Sequence, residues 1–417
     1  MAITGLRTTN NFATDERPKN WREGIMLLFP NGKTPLTAFT SMMKSRSVDD
    51  PEYNWWTKTL QSRRASLSAD ITIAQTTFAF NAVSGAQGGA QQFKAGDILH
   101  SFQSGEKVRV AADPTSDTAL VVTRGVAGTT AAAITYNATG VDPFWYALGG
   151  AYEEGSSAPT GVNFDPTKAT NYLQIFRQTL EATNTALQTN LRTEQLAKEA
   201  KRECLELFSV DMERQFFLGQ KSETTLNGKP LRYTGGLLEF VASANTFTWG
   251  SANGDYDGGT TWADFEDIMR IWFQFGSTEK VVFCGDLALL NMQRLIRYAK
   301  GVQWTMEPTK EFGMNVLKVF TPFGTLICKQ HPLFTQMQGG TTATGFYYGM
   351  NSWMWCVDMN ELKYVYLRGR DVKYQKDLQE NGVDGLKSGY LAECGLEVHH
   401  PTTHGILKSF VSYTAES

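Results

Sequence analysis

The sequence predicts an α+β protein organised around one long helix, and three observations carry that expectation. The run from Thr167 to Leu218 contains neither Gly nor Pro, in a chain that holds 38 Gly and 13 Pro. The stretch before it, Leu60 to Ala151, shifts to Thr, Val, Ala and Gly and breaks into short alternating segments, which is how β structure reads. The stretch after it alternates helical and strand patterns from roughly Leu238 to Met337 and then returns to β segments.

The helix is expected over Arg192–Phe217. Leu196, Ala197, Ala200, Cys204, Leu207, Phe208 and Met212 fall on one face at about 100° per residue, while Gln195, Glu199, Arg202, Glu203, Glu206, Ser209 and Glu213 take the other. Glu194 with Lys198 and Arg202 with Glu206 are opposite charges four residues apart, and Gly219 supplies a stop. About 26 residues would span about 39 Å, well beyond the ordinary helix of about 11–12 residues, so the element is a spine.

Ahead of it, residues 1–58 are polar and lack a sustained period, which predicts an arm without a core of its own. Such an arm is ordered most simply on a neighbouring copy; the alternative is packing on its own domain. Within it, Pro35–Lys44 is a candidate short amphipathic helix, and Tyr53, Trp55 and Trp56 form an apolar plug beside the turn at Asp49-Asp50-Pro51. Asp70–Phe80 reads as a strand, and Ala95–Ile134 as several strands split at Ser104-Gly105, Asp113-Pro114 and Gly125–Gly128. Residues 59–151 are thus an all-β insertion, followed by a hinge-like connector.

Beyond the spine, Thr261 caps a helix with Asp264 three residues on, Glu279–Cys284 is a buried strand, and Asp286–Lys300 is a helix. Strands then flank Pro322-Phe323-Gly324, and Glu361–Tyr374 has the length of a long ribbon strand bent at Gly369.

Composition excludes several function classes. A formal charge of -3 with 19% charged residues argues against a duplex-DNA-binding surface covering the molecule and leaves room for a local basic patch. Five scattered cysteines, Cys204, Cys284, Cys328, Cys356 and Cys394, with no CxxC pair, read as reduced buried thiols. No apolar run is long enough for a membrane helix, and the first residues carry no secretion signal, so neither a membrane nor a cleaved-signal route is expected. Aromatic residues reach 12%, which suits extensive interfaces as well as a core.

No chemical motif completes itself. Asp255, Asp257 and Glu266 sit at positions 1, 3 and 12 of a calcium loop, but Gly259 and Thr260 occupy positions that need an oxygen ligand and a glycine. Cys394, His399, His400 and His404 are close in sequence, yet strand alternation points His399 and His400 apart and Pro401 breaks a helical pairing to His404. Gly228-Lys229 lacks the phosphate-loop spacing, and neither GxSxG nor HExxH occurs. No enzyme activity, cofactor or metal is expected.

The order of elements, with LTAFTSMMKSRSVDDPEYNWWTKTL (Leu36–Leu60), RGVAGTTAAA (Arg124–Ala133), NYLQIFR (Asn171–Arg177), ERQFFLGQ (Glu213–Gln220), TPFGTLI (Thr321–Ile327) and the closing run Val357–Gly405, resembles the major capsid proteins of tailed bacteriophages, the Hong Kong phage-type fold. The resemblance implies an N-terminal arm (1–58), an E-loop carrying the β insertion (59–151), a P-domain with the spine (152–237), an A-domain (238–337) and a β return (338–417). It also implies a structural protein of the virion, made in the host bacterial cytoplasm. That protein would assemble with copies of itself into hexamers and pentamers of an icosahedral head, with double-stranded DNA inside by proximity. Portal, scaffold or decoration proteins are further partners; a fused scaffold is not expected ahead of so short an arm. A nanocompartment shell of the same fold is the alternative, and a β-rich enzyme or carbohydrate-binding protein the remoter one.

Candidate interface residues on this reading are Phe39, Met42 and Met43 in the arm, Trp55 and Trp56 in the plug, and Arg368 and Arg370 on the ribbon. Arg124 serves either a contact between capsomers or only its own hairpin. Lysines in or near the loop (Lys58, Lys94, Lys107) carry no pattern that marks one for crosslinking.

Overall fold

The long helix runs Leu196–Leu218 and stops at Gly219, whose N–H donates to Gln215 O at 2.7 Å. The computed structural model describes residues 42–58, 63–82, 89–136, 143–189, 195–249, 261–298, 308–311, 314–337, 341–342, 345–346 and 349–410. Residues 192–194, at the expected helix start, and Pro35–Ser41 of the expected short helix lie outside them. The Gly- and Pro-free run is not one helix: it opens with the strands Thr167–Tyr172 and Gln174–Thr183 and the short helix Asn184–Gln188, and only then comes the spine.

Cys204, Phe208, Met212 and Phe216 form the buried row of the helix, joined near its end by Val210, Glu213 and Phe217. Two sequence assignments are corrected here. Leu207, expected inside, is 53% exposed, and Glu213, expected outside, is fully buried. The reason is geometric: a row at four-residue spacing drifts about 40° per step around a helix with 3.6 residues per turn. The buried sector therefore rotates along the spine, away from Leu207 and towards Glu213. Ala197 is likewise exposed.

The described residues divide into two compact units, one of Trp56–Lys168 and the other of everything up to Trp55 and from Ala169 onward. In the larger unit the spine lies on a sheet with strand order Lys44–Val48, Leu362–Leu367, Gly385–Val398, Gln174–Thr183. The last two pair antiparallel from Gln174↔Cys394 to Thr183↔Gly385, and Lys373–Gln375 joins the Gly385–Val398 strand beside them. The expected long strand Glu361–Tyr374 is in fact two, Leu362–Leu367 and Lys373–Gln375, separated by a turn in which Gly369 takes a φ of 76°. Phe176 and Leu180 from one strand and Tyr390, Ala392, Cys394 and Leu396 from the other meet the helix, so strand alternation supplies one apolar face to it. Asn227 and Gly228, with φ of 51° and 72°, form the tight turn joining Ser222–Leu226 to Lys229–Tyr233.

A second sheet of seven strands has the order Thr246–Thr248, Gly405–Lys408, Met354–Val357, Glu279–Cys284, Thr325–Gln330, Met314–Phe320, Pro308–Glu311. Along Glu279–Cys284, Val282 and Cys284 face a core shared with the helices Trp262–Trp272 and Asp286–Tyr298, while Phe283 faces the spine. The first of these helices has the expected capping box between Thr261 and Asp264. Gly405 lets Trp272 press on the sheet, since a Cβ there would lie 2.0 Å from the indole nitrogen.

Trp56–Lys168 holds six antiparallel strands in the order Arg64–Ser66, Phe144–Gly150, Asp97–His100, Lys107–Val110, Ala119–Thr123, Thr77–Ala79. An antiparallel bridge between Leu67 and Phe80, with Ser68 N–H to Ala79 O at 2.9 Å, joins the last strand back to the first, so the sheet closes as a small barrel. Leu67, Phe78, Phe80, Phe93, Leu99, Val108, Leu120 and Trp145 fill it. Asp70–Phe80, read as one strand, is broken by a turn and contributes only Thr77–Ala79 and two bridging residues. The exposed connector residues 152–166 belong to this unit too.

The two neighbouring spine residues should separate in a denaturation series. Phe208→Ala is expected to cost about 3–5 kcal/mol, as aromatic truncations in packed cores do, and Leu207→Ala no more than about 0.5 kcal/mol. Equal losses in urea midpoint would mean that the helix is rotated from the face described.

Candidate functional site

Strand alternation separates the two indoles of the plug. Along Glu52–Thr57 the side chains alternate out and in, so Trp55 is buried and its Nε1–H donates to Val398 O at 3.0 Å, while Trp56 is 62% exposed. Met42 and Met43 are half-buried against the core beneath the spine. Phe39 lies outside the described residues, as do Asp255, Asp257, Gly259 and Thr260. Glu266 accepts from Trp262 Nε1–H at 2.6 Å.

On the ribbon, Arg368 pairs with Asp49 at 3.1 Å in the open, and Arg370 reaches the largely buried carboxylate of Glu393 at 2.6 Å. A neighbouring carboxylate, Glu397, gathers Arg46 at 2.9 Å, Lys363 at 3.4 Å and His399 at 2.5 Å. Burial alone would raise the Glu397 pKa, but the His399 bond and the two cations outweigh it and leave it below the usual range. Arg46 thereby ties the edge strand Lys44–Val48 across Leu362–Leu367 to the strand Gly385–Val398.

Arg124 is used inside the barrel. Its Nε and Nη2 each donate at 2.6 Å to the two oxygens of Glu106, and its remaining donors reach the carbonyls of Thr72, Gln75 and Ala132. Glu106 is wholly buried and also accepts from the N–H groups of Gly125 and Ala132. Of the two roles open to Arg124, the hairpin role is the one its contacts occupy. Arg63, by contrast, pairs with Asp97.

The histidines near Cys394 go separate ways. Cys394 faces Met212 of the spine, His399 joins Glu397, and His404 is fully buried with Nδ1 accepting from Asp358 N–H at 3.2 Å. Burial, only partly offset by Asp358, holds the His404 pKa down at about 4. No group of three or more His, Cys, Asp or Glu side chains is arranged to hold a metal ion among the described residues. The five thiols are all buried and free, and burial pushes those of Cys356 and Cys394 up to about 12.

Three buried polar side chains escaped sequence reasoning. Glu213 is bonded at 3.1 Å to His331 Nε2, and both are wholly buried. His331 Nδ1 accepts from Leu333 N–H at 3.3 Å, which fixes the proton on Nε2 and makes the ring the cap of the helix Pro332–Gln336. A His-Pro pair opening a short apolar run was the available signal. Lys280, in the apolar string EKVVFC, donates to the carbonyls of Trp272, Phe275 and Thr403 at 2.6–2.8 Å, satisfying the C-terminal end of the helix Trp262–Trp272.

What remains accessible is a set of faces rather than a catalytic cleft. Two grooves among the described residues are open to solvent: one of about 490 Å³ between the spine and the start of the Gln174–Thr183 strand, and one of about 430 Å³ at the far end of that strand. Among the described residues, Gln174–Thr183 is paired on one side only. Ile175, Leu205 and Leu207 are exposed beside it. No described helix is long and apolar enough to cross a membrane.

Such an architecture belongs with proteins whose work is done by surfaces. Residues 3–410 match the family model described as the SU10 major capsid protein, and the chain belongs to that family. It is a bacteriophage major capsid protein, a constituent of the virion shell, and its α+β architecture is that of the tailed-phage capsid proteins. A curated relative, the major capsid protein of Pseudomonas phage PaMx41, is 27% identical over 384 residues, covering 89% of this chain and 83% of the relative. Solved structures with similarity include the capsid of cyanophage P-SCSP1u (10% identical, 98% of this chain and 97% of that one, TM-score 0.45). Another is the capsid of a native GTA particle (9% identical, 94% of each chain, TM-score 0.42). Superpositions this loose add nothing to the family assignment.

Two buried groups give measurable expectations. Glu106→Gln removes the counter-charge of a desolvated arginine and should destabilise the barrel by about 3–5 kcal/mol, read as faster amide exchange across Lys107–Val110 and Ala119–Thr123. Protection as in the unsubstituted chain would show the pair to be dispensable. His404 is neutral when folded down to about pH 4, whereas the unfolded chain binds that proton below about 6.5. Stability contributed by its neutral form is therefore lost as pH falls from about 6.5 towards 4, on the order of 3 kcal/mol in all. The melting temperature of His404→Asn should fall less steeply over that interval, and parallel slopes would assign the acid loss to other groups.

Proposed function

We propose that copies of this chain assemble into hexamers and pentamers of an icosahedral shell enclosing double-stranded DNA, acting through repeated interfaces and without catalysis. The carrying observation is the contrast between well-filled cores and the apolar groups left outside them. Trp56, Ile175, Leu207, Phe320 and Phe323 are all exposed large side chains. Among the described residues, Gln174–Thr183 is paired on one side only and so offers an edge for strand addition. Interfaces burying on the order of 1,000 Å² or more would draw on such groups, and point-group symmetry would close the lattice.

In this reading residues 1–58 are the arm, 59–151 the E-loop, 152–237 the P-domain, 238–337 the A-domain and 338–417 the return to the P-domain. Phe39, Met42, Met43, Trp56, Arg368 and Arg370 contribute to contacts between copies. Trp55 acts from beneath by fixing the strand that presents Trp56. Portal, scaffold and decoration proteins would meet the same outer faces.

Electron microscopy of the purified chain under assembly conditions should show closed shells of uniform diameter. Shells recovered from an infected host should protect duplex DNA from nuclease. A stable monomer at high concentration would sink the proposal, and shells that enclose protein cargo instead of DNA would favour a nanocompartment. Deleting residues 2–41 should leave the circular dichroism spectrum nearly unchanged while sedimentation shows free subunits or capsomers, because weakening one interface in every copy is multiplied around the lattice. Normal shells from the deleted chain would make the arm dispensable.

A further inference from the structure

We propose that the outer face of the barrel around Phe102 binds an acidic polysaccharide, one whose pyranose rings carry carboxylates. The face is set by strand register. Arg64 lies opposite Tyr146, Tyr146 opposite His100, and His100 opposite Lys107, so four outward side chains from four successive strands form one row. Their neighbours Ala65, Trp145, Leu99 and Val108 point inward and fill the core. Phe102 stands two residues beyond His100 and Phe144 two residues before Tyr146. The His100, Phe102, Tyr146 and Phe144 rings follow one another at centroid separations of 4.9, 5.0 and 6.2 Å. Arg64 caps the end of this series, its guanidinium carbon 4.7 Å from the centre of Phe144.

Two features of the row are unexplained by folding. Phe102 is 66% exposed although its ring is as large as those in the core. Arg64, Lys107 and the next outward residue, Arg109, have no carboxylate within ion-pairing distance among the described residues, whereas Arg63 and Arg124 in the same unit each have one. The barrel core is complete without any of these groups. Cations left without counter-charges beside a line of rings match a ligand that offers carboxylates and apolar faces together.

Ring geometry favours a sugar over a base. Successive ring planes are tilted by 80°, 65° and 47°, so the face is corrugated rather than a stack of parallel platforms. Bases stack best on exposed parallel rings, whereas the C–H bonds of a pyranose radiate and can meet rings at several tilts. Duplex DNA would engage the cations but has no use for Phe102.

The test is binding to immobilised alginate, a polymer of carboxylated pyranoses, with neutral dextran and single-stranded oligothymidylate as comparisons, in physiological salt. It is made on the intact chain, both as free subunits and as assembled particles. Alginate should be retained in both states and preferred over the other two polymers. Phe102→Ala and Arg64→Ala should each weaken retention at least tenfold, and Val121→Ala, an outward residue away from the row, should leave it unchanged. Circular dichroism checks that each variant is folded. Retention that survives Phe102→Ala would reduce the effect to ion exchange, and preference for oligothymidylate would assign the face to nucleic acid. Loss of retention on assembly would mean that a second copy covers the row. Absence of retention in both states would also overturn the proposal.

Discussion

The larger unit depends on one contact, the end of the spine helix driven between two sheets. Phe217 meets Phe334, Trp355 and Phe283 edge-on at 4.8, 5.4 and 5.8 Å. One turn earlier, Glu213 reaches His331 across the same gap. Because a buried carboxylate is tolerated only when it is hydrogen-bonded, this bond fixes both the rotation of the spine and the position of the helix capped by His331. Lys329 lies close enough for Glu213 to favour its charge, but burial wins and holds its pKa at about 8, and its amine has no hydrogen-bond partner among the described residues. The site is apolar enough to exclude water yet carries ionisable groups from a helix and a strand, so helix and sheet cannot slide past each other without exposing an unmatched charge.

Periodicity made the spine, the Thr261 capping box, the strand Glu279–Cys284 and the strand-rich insertion legible, because each is a local pattern. It failed wherever position depends on a distant partner. Glu213 has the spacing of an outward residue and is inside, where His331 receives it; Leu207 has the spacing of an inward one and is outside because the buried row drifts around the helix. The split at Gly369 and the turn inside Asp70–Phe80 follow from pairing choices that a single strand pattern does not encode. Of the candidate interface residues, Trp55 and Trp56 were grouped as one plug, and it is the strand formed by Glu52–Thr57 that sets them on opposite faces. The internal use of Arg124 required knowing that Glu106, eighteen residues away, sits at the start of the adjoining strand.

Buried carboxylates are matched in two ways. In the barrel unit Arg124 and two backbone N–H groups share the buried carboxylate of Glu106, an arrangement that gives specificity of register more than net stability. On the strand Gly385–Val398, Glu393 and Glu397 are buried while their cations, Arg370, Arg46 and Lys363, remain partly in water, as Arg63 does beside Asp97 in the barrel unit. Pairs of this second kind can exchange partners at little cost, while the first kind cannot.

Closure of the barrel also bears on how the chain survives before it is incorporated. A head is built from many identical polypeptides present together at high concentration, the condition under which open sheet margins recruit one another indiscriminately. Looping the last strand of the insertion back to the first leaves that module with no margin to offer, so it can be carried through synthesis and storage without templating fibres. The larger unit keeps open margins, Gln174–Thr183 and Lys44–Val48 among them, and the first is flanked by the rigid spine, which limits what can add to it.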